Sequence, residues 1–133
     1  MKNIIIADDS ITSRMIIRRC LDMLGLSGVT YHEAKDGVEA LAMATGMEGG
    51  RGPDLLIADL NMPNMDGETL VTRLKAAKVT SNMPVVIASS ATNSARSVKL
   101  SEMGVLATIG KPVSPAALQK ALAPVLERFQ GKE

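Results

Sequence analysis

Short apolar runs alternate with longer amphipathic stretches from one end of the chain to the other. Lys2 to Ala7 is nearly continuously apolar and β-rich, the pattern of a strand buried on both faces. Ser10 or Thr12 can cap a helix that turns Ile16, Ile17, Cys20, Leu21 and Leu24 inward and ends at Gly25. Val29 to Ala34 predicts a second, weaker strand. Asp36 then caps a helix reaching about Met47, with Val38, Leu41 and Ala42 inside. Breakers make residues 49–53 a loop, and Leu55 to Ala58 is a third buried strand. The turn-rich segment 61–67 leads into a helix with Leu70, Val71 and Leu74 at helical spacing. Met83 to Ala88 predicts strand four, Asn93 to Met103 a thin amphipathic helix around Val98 and Leu100, and Val105 to Ile109 strand five. A last helix, from about Ser114 to Phe129, puts Leu118, Leu122, Val125, Leu126 and Phe129 on one face. Five strands and five helices in strict alternation, joined by right-handed crossovers, give a doubly wound parallel α/β sheet with helices on both faces.

Composition narrows this picture. The 133 residues, 1–133, read as one domain with no linker, repeat or attached output domain. A hydrophobic share of 46% against 22% charged excludes a disordered chain. Lys+Arg 15 against Asp+Glu 14 leaves +1, which argues against a nucleic-acid binder. Tyr31 and Phe129 are the only aromatics, too few for base stacking, and the core must come from Ile, Leu, Val, Met and Ala. One cysteine forms no internal disulfide, and no apolar run approaches a membrane span, so the expectation is a cytoplasmic protein with no membrane partner.

In an open parallel sheet, ligands bind beyond the carboxyl ends of the strands. Those positions hold Asp8 and Asp9, then Asp59, then Ser89 and Ser90, then Lys111-Pro112. Two carboxylates about 4 Å apart repel by about 4 kcal/mol at an effective dielectric near 20, so three need cationic compensation. Lys111 supplies one charge. Hard oxygen ligands without nearby His or Cys favour Mg²⁺. A carboxylate beside a hard cation, a lysine and a hydroxyl suits phosphoryl transfer onto the carboxylate itself.

These residues resemble a response-regulator receiver domain of two-component signalling, close in size to the single-domain chemotaxis regulators. Asp59-Leu60-Asn61-Met62-Pro63-Asn64-Met65-Asp66-Gly67 matches the family's D-x-x-M-P-x-M-D-G loop throughout. Asp8-Asp9-Ser10, Ser89 and Lys111-Pro112 fall where the family has its acidic pair, its Thr/Ser and its Lys-Pro. The resemblance implies a flavodoxin-like (βα)5 three-layer sandwich with a five-stranded sheet of order 2-1-3-4-5. It implies that Asp59 is the phosphoacceptor, that Asp8, Asp9, Asp59 and the Asn61 carbonyl surround Mg²⁺, and that Ser89 and Lys111 bind the phosphoryl oxygens. The partners implied are a histidine kinase or histidine phosphotransfer protein and a downstream protein met through the fourth helix, fifth strand and fifth helix. The chain is then a switch rather than an enzyme, a monomer or a phosphorylation-dependent dimer. A receiver fragment of a longer regulator, or a phosphorelay intermediate, is the alternative within the family. An Asp-nucleophile hydrolase is the alternative outside it, but its general-acid position, two residues after the nucleophile, is Asn61 here. No G-x-G-x-x-G or Walker sequence supports a nucleotide binder.

Three positions depart from the family. Ser90 follows Ser89 where a small apolar residue is usual; the five-residue spacing from Pro84 selects Ser89. Thr108 stands where an aromatic switch residue is common, so readout is expected through the loop after strand four, with Arg96, Lys99, Thr108 and Lys120 as contacts. Gly110 precedes Lys111 and is expected to loosen the end of strand five. Asp66 is expected to shape the turn before the third helix, His32 and Cys20 to be structural, and Arg14, Arg18 and Arg19 to form a solvated stripe.

Overall fold

A computed structural model describes residues 3–26, 28–46, 53–90 and 93–126. In order these form β1 (Asn3–Ala7), α1 (Ile11–Asp22), β2 (Thr30–Ala34), α2 (Gly37–Thr45) and β3 (Leu55–Ala58). α3 (Gly67–Ala76), β4 (Val85–Ser89), α4 (Ser94–Glu102), β5 (Ala107–Gly110) and α5 (Pro115–Leu122) complete them. All strand pairs are parallel, and the sheet order is β2-β1-β3-β4-β5.

The period-two geometry of a strand divides the apolar residues between two cores. Ile5, Ala7, Leu56, Ala58, Val85 and Ile87 face α2, α3 and α4, packing with Ala40, Leu70, Leu74 and Leu100. Ile4, Ile6, Leu55, Ile57, Val86 and Ala88 face α1 and α5, packing with Ile17, Cys20, Leu21, Leu118 and Leu122. Covering both faces explains why β1, β3 and β4 are apolar almost throughout, whereas the edge strands β2 and β5 carry polar positions.

Each helix starts on a side-chain cap. Ser10, Asp36, Asp66, Asn93 and Ser114 accept from the backbone N–H of Ser13, Glu39, Thr69, Arg96 and Ala117. Such a cap contributes about 1 kcal/mol. Ser10, and not Thr12, therefore begins α1.

Several boundaries and faces differ from the sequence reading. β4 starts at Val85 because Pro84 has no N–H to donate, although its carbonyl still accepts from Leu56 N–H at 3.1 Å. β5 starts at Ala107, since Val105 N–H first turns back to Leu100 O at 3.1 Å around Gly104 in the left-handed region. It extends through Gly110, which pairs with Ser89 in the ladder instead of loosening the strand end. α1 ends at Asp22, and Gly25 (φ 76°) serves the turn that follows. Ile16, Val38, Ala42 and Val98 are exposed rather than inward. On α2 the buried residues are Gly37, Ala40 and Ala44, small enough for close approach; a Cβ on Gly37 would stand 2.4 Å from Met65 O. Lys2, Met47, residues 49–52 and Phe129 lie outside the described residues.

Candidate functional site

The sheet order reverses between β1 and β3, and the site lies beyond the carboxyl ends of those two strands. Asp8 follows β1, its N–H donating to Ala34 O at 3.0 Å, and is buried. Its Oδ1 accepts from Ser10 N–H at 2.9 Å, and its carbonyl accepts from Arg14 Nη1 at 2.6 Å. Asp9 is exposed. Asp59 follows β3 and is tied to the end of β1 by its N–H donating to Ala7 O at 3.0 Å. Its Oδ1 accepts from Leu60 N–H at 2.7 Å and from Asn61 N–H at 3.5 Å.

Lys111 reaches in from the end of β5 and spans the two buried-side acids. Its Nζ donates to Asp8 Oδ2 at 2.6 Å, to Asp59 Oδ2 at 3.1 Å and to Ser13 Oγ at 3.4 Å. Burial opposes the ammonium charge, but the hydrogen bonds and charges of Asp8 and Asp59 outweigh it and hold the Lys111 pKa above the ordinary lysine value. The following Lys111-Pro112 peptide is cis.

Ligand oxygens of Asp8, Asp9 and Asp59 all lie within 4.8 Å of one another. With Lys111 the cluster carries three negative charges and one positive. The donor set is all oxygen, since His32 is occupied on β2 with Asn3 Oδ1 at 3.0 Å and Cys20 is buried beside the Val113 carbonyl. Such a site fits a hard divalent cation such as Mg²⁺, which needs few carboxylates and keeps water ligands. Asn61 follows on the exposed loop two residues beyond Asp59.

Ser89 is the last residue of β4 and fully buried, and its carbonyl accepts from Lys111 N–H at 3.2 Å. Ser90 is exposed and lines a cavity of about 340 Å³ with Ser13, Ile16, Lys111, Pro112 and Val113. The strand thus ends with Ser89 buried and Ser90 exposed in the turn that follows.

The loop carrying Asp59 is held by one contact expected from the sequence and others that it did not announce. Asp66 caps α3 as expected, and Gly67 N–H donates to Leu60 O at 2.8 Å. Asn64, at φ 68°, donates from Nδ2 to Asp36 Oδ2 at 2.7 Å. Asp36 Oδ1 also accepts from Glu39 N–H, and together these bonds hold its carboxyl below the usual range. Asn is among the few residues that tolerate left-handed backbone, which is the one sequence signal for this tie.

Of the arginine stripe, Arg18 and Arg19 are exposed as expected, whereas Arg14 is largely covered. Arg14 Nε donates to Glu33 Oε1 at 2.8 Å and Arg18 Nη1 to Glu33 Oε2 at 3.2 Å, while Arg18 lies over the Tyr31 ring. Arg19 alone of the three is without such a contact among the described residues. Arg96 and Lys99 both pair with Glu68 of α3, at 3.8 and 3.1 Å. Thr108 and Lys120 line a groove of about 420 Å³ between β5 and α5.

The response regulator receiver domain family matches residues 4–123. The chain is 35% identical over 129 residues to a chemotaxis protein CheY homolog of Campylobacter jejuni, covering 97% of this chain and 95% of that protein. It is 36% identical over 107 residues to the sensor histidine kinase CheAY of Helicobacter pylori, covering 80% of this chain but 13% of the kinase. The solved chemotaxis response regulator CheY4 of Vibrio cholerae superposes with a TM-score of 0.74 at 27% identity, over 97% of this chain and 98% of that one. No helix among the described residues is long and apolar enough to cross a membrane.

Proposed function

Because the chain belongs to the response regulator receiver family, we propose that it is a two-component switch whose phosphoryl group is accepted by Asp59. The observation that carries this reading is Lys111 Nζ bridging Asp8 and Asp59 at the carboxyl edge of the sheet. An Asp59 carboxylate oxygen attacks the phosphorus of a phosphohistidine on a histidine kinase or phosphotransfer protein. The P–N bond breaks, the imidazole leaves with its electron pair and takes a proton, and an acyl phosphate remains on Asp59. The Lys111 ammonium neutralises one transferring oxygen, and the Ser89 hydroxyl donates to another once it turns toward the site. Asp8, Asp9, Asp59 and the Asn61 carbonyl are the residues to hold Mg²⁺, which supplies positive charge to the phosphoryl oxygens when bound.

The group is received and later lost to water rather than passed to a turned-over substrate, so the protein acts as a signalling switch and not as a hydrolase. Asn61 lacks the proton that a general acid at its position would donate. The phosphorylated state speaks to a downstream protein in the cytoplasm through α4, β5 and α5. Thr108 excludes an aromatic flip as the signal there, leaving backbone and hydroxyl shifts around Ser89 to move α4, whose buried side is little more than Leu100. The similarity to a chemotaxis protein CheY homolog supports chemotaxis as the pathway.

Beryllofluoride with Mg²⁺ tests the reading. Amide resonances around residues 8–10, 59–61 and 89–90 and along α4 are expected to shift in the wild type and not in Asp59→Asn. Shifts of equal size in both proteins would remove Asp59 from the role.

A further inference from the structure

The three carboxylates of the acidic corner are not held alike. Asp8 is fixed by Ser10 N–H and Lys111, and Asp59 by Leu60 N–H and Lys111. The exposed Asp9 carboxylate has no hydrogen bond or ion pair within the described residues, yet its oxygen stays in the cluster. Its direction is therefore set by the backbone that carries it.

That backbone is clamped on the N-terminal side of Asp9 by an arginine. The carbonyl of the Asp8–Asp9 peptide accepts from Arg14 Nη1 at 2.6 Å. A peptide unit is planar, so this bond places the N–H and Cα of Asp9, and Ser10 N–H donating to Asp8 Oδ1 at 2.9 Å holds the peptide on its other side and so limits the rotation that aims the Asp9 Cβ. Arg14 is itself held: Nε donates to Glu33 Oε1 at 2.8 Å, and the side chain is 13% exposed. Glu33, in register with Ile6 on the adjacent strand, has its carboxyl kept below the usual range by Arg14 first and by Arg18. It also offsets the guanidinium charge, so Arg14 can act as a donor without setting an unbalanced positive charge beside a cation site.

We infer that Arg14 is a positioning residue for divalent-cation binding. The chain from Glu33 through Arg14 to the Asp8 carbonyl aims the Asp9 carboxylate and thereby sets the cation affinity of the unphosphorylated protein. This rests on the proposed role of Asp8, Asp9 and Asp59 as the metal site. Outer partners of this kind are worth about 10- to 100-fold in metal affinity, and a contact made through backbone belongs at the low end.

The experiment is Mg²⁺ titration of the full, unphosphorylated chain by calorimetry, with the Asp9 carboxyl carbon followed by NMR. Arg14→Met is expected to weaken Mg²⁺ binding about tenfold. It should also shrink the Mg²⁺-induced shift at Asp9 while those at Asp8 and Asp59 persist. Arg14→Lys should recover part of the loss, because an ammonium can still reach the carbonyl but cannot also fork to Glu33. Arg18→Met is the control for mere structural damage: it removes a Glu33 pair and the contact with Tyr31 but touches nothing at Asp8, so its affinity should stay at the wild-type value even if its Tm falls. Wild-type Mg²⁺ affinity in Arg14→Met, or an equal loss in Arg18→Met, would overturn the inference. Asp9→Ala tests the underlying metal site separately: unchanged affinity there would overturn that reading too.

Discussion

Gly67→Ala probes how closely the first turn of α3 must approach the phosphoacceptor loop. A Cβ at this position would stand 2.5 Å from the Asp59 carbonyl oxygen and 2.9 Å from Leu60 Cα. Ordinary contact begins near 3.4 Å, so the backbone must give by about 0.9 Å. Nothing flexible is in the way to yield, because both atoms are main chain and Gly67 N–H is bonded to Leu60 O at 2.8 Å. Overpacking of this kind costs about 1–3 kcal/mol. For a domain of this length that is a Tm loss of about 3–10 °C. The strain also has a direction: relief moves Asp59 relative to Lys111 and Asp8, and misplacement approaching 1 Å costs about 10²-fold in rate. Urea denaturation and labelling by acetyl phosphate with Mg²⁺ measure the two effects, and labelling should slow at least about tenfold. Gly110→Ala is the matched control beside the same site. Its Cβ meets nothing within 4 Å and its backbone is not left-handed. It should keep wild-type labelling and gain up to about 1 kcal/mol from a less flexible unfolded chain. A Gly67→Ala protein as stable and as quickly labelled as Gly110→Ala would refute the close-approach argument.

Three further outcomes follow from the same geometry. Stability by urea denaturation should fall in the order wild type, Asn64→Gly, Asn64→Ala: both variants lose the bond to Asp36, and alanine adds about 1–2 kcal/mol for left-handed backbone. Lys111→Met should lose about 3 kcal/mol in metal-free buffer, because Asp8 stays buried without its cation, and added Mg²⁺ should raise the Tm of the variant more than that of the wild type. Glu33, Asp36 and Asp66 are held below their ordinary carboxyl values by Arg14, by Glu39 N–H and by Thr69 N–H respectively. Their stabilisation is complete above the ordinary carboxylate range and drains away as pH falls through the depressed values, so acid unfolding should move to higher pH in Glu33→Gln. The raised Lys111 pKa has the opposite sense, present below the ordinary lysine value and lost only as pH rises past the raised one, so it leaves neutral pH untouched.

The sheet was legible because burial on both faces demands apolar runs such as Ile4-Ile5-Ile6-Ala7 and Leu55-Leu56-Ile57-Ala58. Asp8, Asp59 and Lys111 were legible for a related reason, since strand ends are where an open parallel sheet gathers its ligands. Helix faces were less so. Val38 and Ala42 looked inward by hydrophobicity, but the close seat of α2 against Met65 selects Gly37, Ala40 and Ala44 instead. Pro84 could have corrected the start of β4, as its missing N–H was visible in the sequence. Arg14 could not have been found this way: a basic residue on the first turn of α1 reads as solvated until β2 brings Glu33 beside it. The bond from Asn64 to Asp36 joins loops 28 residues apart and has no local pattern either.

Chemical mapping of the acceptor tests the central claim most directly. The full chain is incubated with acetyl phosphate and Mg²⁺, reduced with borohydride to trap the acyl phosphate, and sequenced by mass spectrometry. Asp59 should be the single residue converted, and Asp59→Asn should show no conversion anywhere. Conversion at Asp8, Asp9 or Asp66 in the wild type, or persistent labelling of Asp59→Asn, would contradict the account.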